Sequence, residues 1–354
     1  IQDSIENGAH ALNYTKVKNL VLKNGQTAGV TIEESDTGNT IDLSAAAVIN
    51  ATGAWADRLR NEFTDDKRIR PLRGSHLIFA QSLYPVTNVM TFLHQDDKRG
   101  VYVYPWEGTT VLGTTDLDHQ EDLDIEASIS DQEIEYLLNG FNRQFPNNQL
   151  SRTDILSSWA GVRPVIGADQ GKDPSKERRD HAVWSDHGLI TVSGGKLTTF
   201  RLIALDALAA AAEQLPTPTV VTDHRMFVSP EFTAAQLIPE NPLWAQRLMG
   251  RYGAKAQQLL KQSSAQEQLS LGDTQFSLAE CRWSVKYEGV IHLDDLLLRR
   301  TRLGMCLAKG GEEIMPALKN IFQQEQQWNE DRWNSEYKRY QTIWQRYYSL
   351  PNSL

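Results

Sequence analysis

Two stretches of this sequence share one grammar: a short apolar run, a turn of small residues, then helix-forming sequence. In the first, Ala45-Ala46-Ala47-Val48-Ile49-Asn50 runs into Ala51-Thr52-Gly53-Ala54-Trp55-Ala56. In the second, Gly188-Leu189-Ile190-Thr191-Val192-Ser193 runs into Gly194-Gly195-Lys196-Leu197-Thr198-Thr199 and an Ala/Leu-rich helix to about Leu215. Each predicts a buried strand, a backbone-exposing turn and a helix. In α/β sheets that is where nucleotide cofactors bind.

The rest of the first 216 residues reads as β. Ala11–Tyr14, Val17–Leu22 and Gly29–Glu33 are short apolar or alternating runs, punctuated by Asn24-Gly25 and Thr37-Gly38-Asn39, and predict hairpins. Ser75–Phe79, Gly100–Pro105 and Thr109–Asp116 alternate again with no helix between them, which predicts an antiparallel sheet. Glu121–Glu135 holds seven acids and no Lys or Arg. Its Ser130-Asp131-Gln132-Glu133 predicts a capped helix start rather than a metal site. Leu215-Pro216-Thr217-Pro218-Thr219 reads as a linker, and helix dominates beyond it.

With 354 residues the chain is long enough for two or more domains. A net charge of -9 argues against a nucleic-acid partner. Cys281 and Cys306 form no C-x-x-C and suggest a reduced, cytoplasmic chain. Ile1–His10 holds neither an initiator Met nor a signal peptide, a hint that the natural N-terminus is absent. No metal-binding histidine pair, nucleophile elbow or P-loop occurs. No two glycines stand two apart, so G-x-G-x-x-G is absent as well.

Several residues carry candidate chemistry. The Gly194-Gly195-Lys196 turn offers backbone N–H groups, a cation and hydroxyls at a helix start; the alternative is an ordinary turn with a surface lysine. Arg163, in Gly-Val-Arg-Pro after an apolar segment, suits bidentate binding of a carboxylate or phosphate, or a salt bridge to a structural acid. Arg179 is a weaker candidate of the same kind. His76 is either a satisfied sheet histidine or a proton-transfer group. Trp333, Tyr337, Tyr340, Trp344 and Tyr347 form a stripe expected to dock on neighbouring helices rather than on a membrane. Arg299, Arg300 and Arg302 read as a solvated face or a dimer contact.

Six blocks in order carry a family resemblance: 49–55, Leu72–His76, Gly113–Asp116, Ser158–Pro164, Gly194–Thr199 and Asp294–Arg302. The chain resembles the FAD-dependent glycerol-3-phosphate dehydrogenases over essentially its whole length. The resemblance implies an α/β plus α fold. Its parts are a partial FAD-binding domain of the D-amino-acid-oxidase and glutathione-reductase type (1–62), an antiparallel-sheet substrate domain (63–185), a return to the FAD-binding domain (186–216) and a C-terminal helical domain (225–354). Family members begin with a G-x-G-x-x-G turn that this sequence lacks, so it looks like a fragment that binds FAD weakly or not at all.

Residue by residue, the resemblance puts Val17 near the adenine and Ala51, Thr52 and Gly53 along the cofactor. Gly195, Lys196, Leu197 and Thr198 fall at the flavin pyrimidine edge. Arg163 and Arg179 match the substrate phosphate site, and Lys196 and His76 the reacting hydroxyl, with His76 favoured as base. The implied reaction is oxidation of sn-glycerol 3-phosphate to dihydroxyacetone phosphate, with quinone as acceptor. The implied setting is cytoplasmic, with peripheral membrane contact and a homodimer, and no metal. The alternatives are a glycerophosphate oxidase that uses oxygen and a non-catalytic module that binds phosphometabolites.

Overall fold

The computed structural model describes residues 1–167, 180–216, 227 and 229–351. Three sheets precede a helical domain. The first is an antiparallel meander of β1 (Thr15–Lys23), β2 (Gln26–Glu34) and β3 (Thr40–Ser44). Asn24 and Gly25 turn its first hairpin with positive φ of 54° and 76°, as an Asn-Gly turn requires.

The second sheet comprises β5 (Ile69–Ala80), β6 (Met90–Leu93), β7 (Gly100–Trp106), β8 (Thr109–Gly113), the short β9 (Leu117–Asp118) and β10 (Ile155–Ile166). The order is β10-β5-β8-β7-β6, all antiparallel. Alternation along the strands gives each face its own core. Leu77, Phe79, Val101, Val103 and Leu112 meet Ile134, Leu137 and Phe141 of α1 (Asp131–Gln144). The other face, with Ile78 and Val111, meets the C-terminal helices. The predicted cap of α1 is present: Ser130 and Glu133 bond reciprocally, and buried Glu133 also accepts from Ser75 and Thr115 and pairs with Arg73.

The third sheet joins β4 (Val48–Asn50), β11 (His181–Asp186) and β12 (Leu189–Gly194), in the order β11-β12-β4. β11 straddles the boundary drawn at 185 and pairs with β12 rather than with the large sheet. Helix α2 (Phe200–Ala211) follows and leaves Phe200, Leu202 and Leu208 exposed.

Helices α3 (Pro242–Tyr252), α4 (Leu278–Tyr287), α5 (Met315–Gln326) and α6 (Glu330–Tyr347) frame the last domain, with a π-helical stretch at Asp295–Arg300. Four of the five aromatic residues of the α6 stripe dock inward as expected: Trp333 and Tyr340 are buried, and Tyr337 and Trp344 pack on the same core, while Tyr347 lies under the Arg346 guanidinium instead. The basic cluster also bonds within the chain. Arg299 reaches Asp294 at 2.6 Å, Arg300 donates to the Glu288 carbonyl, and Arg302 lies over Trp106. Cys281 and Cys306 are buried free thiols. Among the described residues no helix is long and apolar enough to cross a membrane, and no group of three or more His, Cys, Asp or Glu could hold a metal.

Candidate functional site

β4 and β12 run parallel, with Asn50 beside Thr191, so the two small-residue turns open side by side at the carboxyl ends of neighbouring strands. Buried Asn50 ties the first turn down. Its Nδ2 donates to the Ala56 carbonyl at 2.9 Å and its Oδ1 accepts from Thr52 Oγ1 at 2.7 Å. In the second turn Gly194 and Gly195 both have φ of 79°, a left-handed conformation that suits glycine. A Cβ on Gly194 would lie 2.6 Å from the Asp180 carbonyl oxygen. Gly194→Ala therefore combines backbone strain with a clash and is expected to cost about 1–3 kcal/mol of unfolding free energy. Urea denaturation measures this, and an unchanged midpoint would refute it.

A cavity of about 620 Å³ lies between this turn and the end of β10, lined among others by Arg163, Ile166, Gly195, Lys196, Phe200 and Ile203. Lys196 has no ion-pair partner among the described residues, and Leu197 beside it is 88% exposed. Pro164 reaches the first turn, within 4.0 Å of where a Cβ of Gly53 would be. The structure thus brings Arg163, Gly195, Lys196 and Leu197 to one opening, with Thr198 next in the chain and the turn of Ala51, Thr52 and Gly53 alongside. Val17 lies apart, half-buried in β1. Its neighbour Lys16 approaches Asp124 at 3.6 Å, and Asp124 also accepts from Trp55 and Arg58 just beyond the first turn. Arg179 lies outside the described residues.

Arg163 takes up the structural pairing as well as the cavity position. Its Nη2 donates to Thr114 Oγ1 at 2.9 Å and its Nη1 reaches Asp116 Oδ1 at 3.3 Å. On β10, Trp159, Gly161 and Arg163 share a face and pair with His76, Gly74 and Leu72 of β5. Glycine forms the floor here. The Arg163 guanidinium occupies the space a Gly74 Cβ would fill, and the His76 ring occupies that of a Gly113 Cβ. His76 therefore stands next to the guanidinium. Burial, and secondarily the charge of Arg163, push its pKa down from 6.5 to about 3. The imidazole is neutral at ordinary pH, an acceptor rather than a cation.

Asn50, Gly74, Thr114, Asp116 and Trp159 were not singled out as site residues from the sequence. All five sit inside the quoted motif blocks, and i, i+2, i+4 counting along β10 would have found Trp159 and Gly161 beside Arg163.

Known proteins resemble this chain in the same regions. Residues 2–201 match the family described as FAD dependent oxidoreductase, and residues 231–333 match the C-terminal domain of alpha-glycerophosphate oxidase. The aerobic glycerol-3-phosphate dehydrogenase of Bacillus subtilis is 38% identical over 207 residues, 58% of this chain and 37% of the relative. Its counterpart in Staphylococcus haemolyticus is 30% identical over 320 residues, 84% of this chain and 57% of the relative. The chain therefore spans only part of these relatives. The crystal structure of Bacillus halodurans glycerol-3-phosphate dehydrogenase complexed with FAD superposes with a TM-score of 0.78 at 25% identity, covering 96% of this chain and 70% of that one.

Proposed function

Because this chain belongs to the FAD-dependent oxidoreductase family, we propose that it supplies the substrate pocket and flavin-facing turn of an enzyme that oxidises sn-glycerol 3-phosphate to dihydroxyacetone phosphate. The observation that carries this reading is the cavity itself, lined by both Arg163 and Lys196 at the carboxyl end of β12, whose parallel neighbour is β4. The names of the relatives in Bacillus and Staphylococcus support the choice of substrate.

The residues present suit a flavin edge. Two left-handed glycines expose backbone, Lys196 adds positive charge, and the exposed Leu197, Phe200 and Ile49 offer apolar surface for a large ring system to cover. Gly195, Lys196, Leu197 and Thr198 would hold that edge, with Ala51, Thr52 and Gly53 alongside and Val17 towards the adenine. Bound there, FAD supplies the two-electron acceptor that alcohol oxidation requires.

Arg163 holds the substrate phosphate, with Arg179 as its partner, while Asp116 and Thr114 keep the guanidinium in place. His76 is the base, taking the hydroxyl proton at Nε2, since Nδ1 is sealed from solvent. A phosphate dianion on Arg163 would offset the charge that lowers His76 basicity, so the base strengthens when substrate is bound. Lys196 stabilises negative charge that develops beside it.

No pyrophosphate-binding G-x-G-x-x-G occurs in these 354 residues, so the purified chain is expected to show no stoichiometric flavin band in its visible spectrum. A full yellow band would overturn that part of the reading. Quinone is the proposed acceptor, reached from a peripheral position on the cytoplasmic face of the membrane by a homodimer. The glycerophosphate-oxidase match over residues 231–333 favours a second reading with oxygen as acceptor. Peroxide formation by the flavin-loaded enzyme, with oxygen alone present, decides between them. Micromolar binding of glycerol 3-phosphate without any turnover in the flavin-loaded enzyme would point instead to a binding module.

A further inference from the structure

Among the described residues none that lines the cavity comes from the C-terminal helical domain, yet that domain touches the site through a side chain of β10 packed on its core. Trp159 lies flat on His76, with ring centroids 4.0 Å apart and planes within 3°. Trp159 in turn packs against the core that contains Leu298, Leu303 and Met305. Two residues earlier in the strand, Ser157 Oγ donates to the Met305 carbonyl at 2.7 Å, fixing β10 to the same segment. Across β5 from Trp159, the imidazole leans over the bare backbone of Gly113, 2.2 Å from where a Cβ would be. The ring is thus confined between an indole and a glycine.

We propose that Trp159 is a positioning residue: held by the C-terminal domain, it fixes the plane of the His76 imidazole and seals its Nδ1, leaving Nε2 as the atom that can meet a ligand beside Arg163. The role in catalysis rests on the assignment of His76 above; the positioning itself does not.

Two effects of the stack oppose each other. Burial against the indole disfavours the imidazolium, and burial is the first cause of the fall to about 3. Attraction between an imidazolium and the indole face acts the other way, by a factor of about ten in the protonation equilibrium. Among the described residues Arg163 on β10 is the charged group that acts on the ring, and Gly113 at the end of β8 and Thr114 just after it are uncharged. Burial outweighs attraction, so opening the slot raises the affinity of His76 for a proton.

The test follows His76 by long-range proton–nitrogen NMR across a pH titration of the flavin-free chain, comparing wild type with Trp159→Phe and Trp159→Ala. Wild type and Trp159→Phe are expected to keep one neutral tautomer to below pH of about 5. In Trp159→Ala the ring should titrate near the ordinary value of about 6.5, raising the protonated fraction at pH 6 by a factor on the order of 1,000. If near-ultraviolet circular dichroism shows that the alanine variant has lost its fold, Trp159→Leu replaces it. Leucine keeps apolar bulk without a flat face and is expected to let the two tautomers mix. An unchanged His76 signal in the folded alanine or leucine variant overturns the proposal, as does a phenylalanine variant that behaves like alanine. No turnover enters the measurement, so failure of the proposed reaction leaves the result readable.

Discussion

Replacing Arg247 with alanine should lower the unfolding free energy by about 3–5 kcal/mol, the cost of stranding a buried charge by removing its partner. Arg247 pairs with Glu107 at 2.8 Å and with Glu280 at 2.8 Å, and its guanidinium lies over the Phe276 ring. Glu107 stands in the β7–β8 turn and Glu280 in α4, so this one side chain joins the large sheet to the helical domain. Glu280 is fully buried. Without Arg247 its remaining cation is Arg251 at 3.8 Å.

The loss should depend on pH, and its sign follows from linkage. Burial already pushes the Glu280 carboxyl above its ordinary range, while Arg247 and then Arg251 pull it back. Removing Arg247 raises it further, so the folded variant binds more protons than the unfolded chain, and stability falls as pH rises through that interval. Urea denaturation of wild type and Arg247→Ala at mildly acid and at neutral pH checks both points. The deficit should be smaller in acid; an equal deficit at both would mean that Glu280 is not the stranded charge.

Gly74→Ala should weaken glycerol 3-phosphate binding by about 10–100-fold, the worth of one charge-assisted contact of about 1.5–3 kcal/mol, while leaving the fold nearly untouched. The new Cβ would lie 2.2 Å from both terminal nitrogens of Arg163. That clash is with the end of a flexible side chain, and Gly74 is not among the positive-φ glycines, so the guanidinium moves and the backbone stays. Arg163 would then leave Thr114 and Asp116 and no longer face the cavity as it does. Calorimetric titration with glycerol 3-phosphate, paired with thermal unfolding and with Arg163→Ala as reference, measures the effect. Wild-type affinity in Gly74→Ala would remove Arg163 from the phosphate site; a large drop in melting temperature would show that the glycine serves packing instead.

These two sites differ in how far the sequence announced them. The cavity turn was legible, because Gly194-Gly195-Lys196 after an apolar run can hardly be anything but a strand leaving a sheet. The α1 cap was legible for the same local reason: Ser130 and Glu133 stand three residues apart on a short piece of chain. Arg163 was recognised as a candidate with two open readings, and the structure gives it the acid, Asp116, and the cavity together. The Arg247 bridge was not foreseen at all, since its carboxylates lie 140 residues before it and 33 after it, and no local pattern marks such a pair.

Strand periods, turn chemistry, caps and the apolar stripe of α6 were all readable from residues a few positions apart, because backbone stereochemistry and side-chain alternation act over that range. So were the α/β-then-helical order of the chain and the candidate cations. Register was different. Which face of β5 meets which face of β10 depends on pairing between strands about 80 residues apart, and that pairing lays His76 against Trp159 and Arg163 over Gly74. Burial then turns the same histidine from an ordinary titrating side chain into a neutral acceptor. Its charge state is a property of the environment that distant residues assemble around it, and no sequence neighbour supplies that environment.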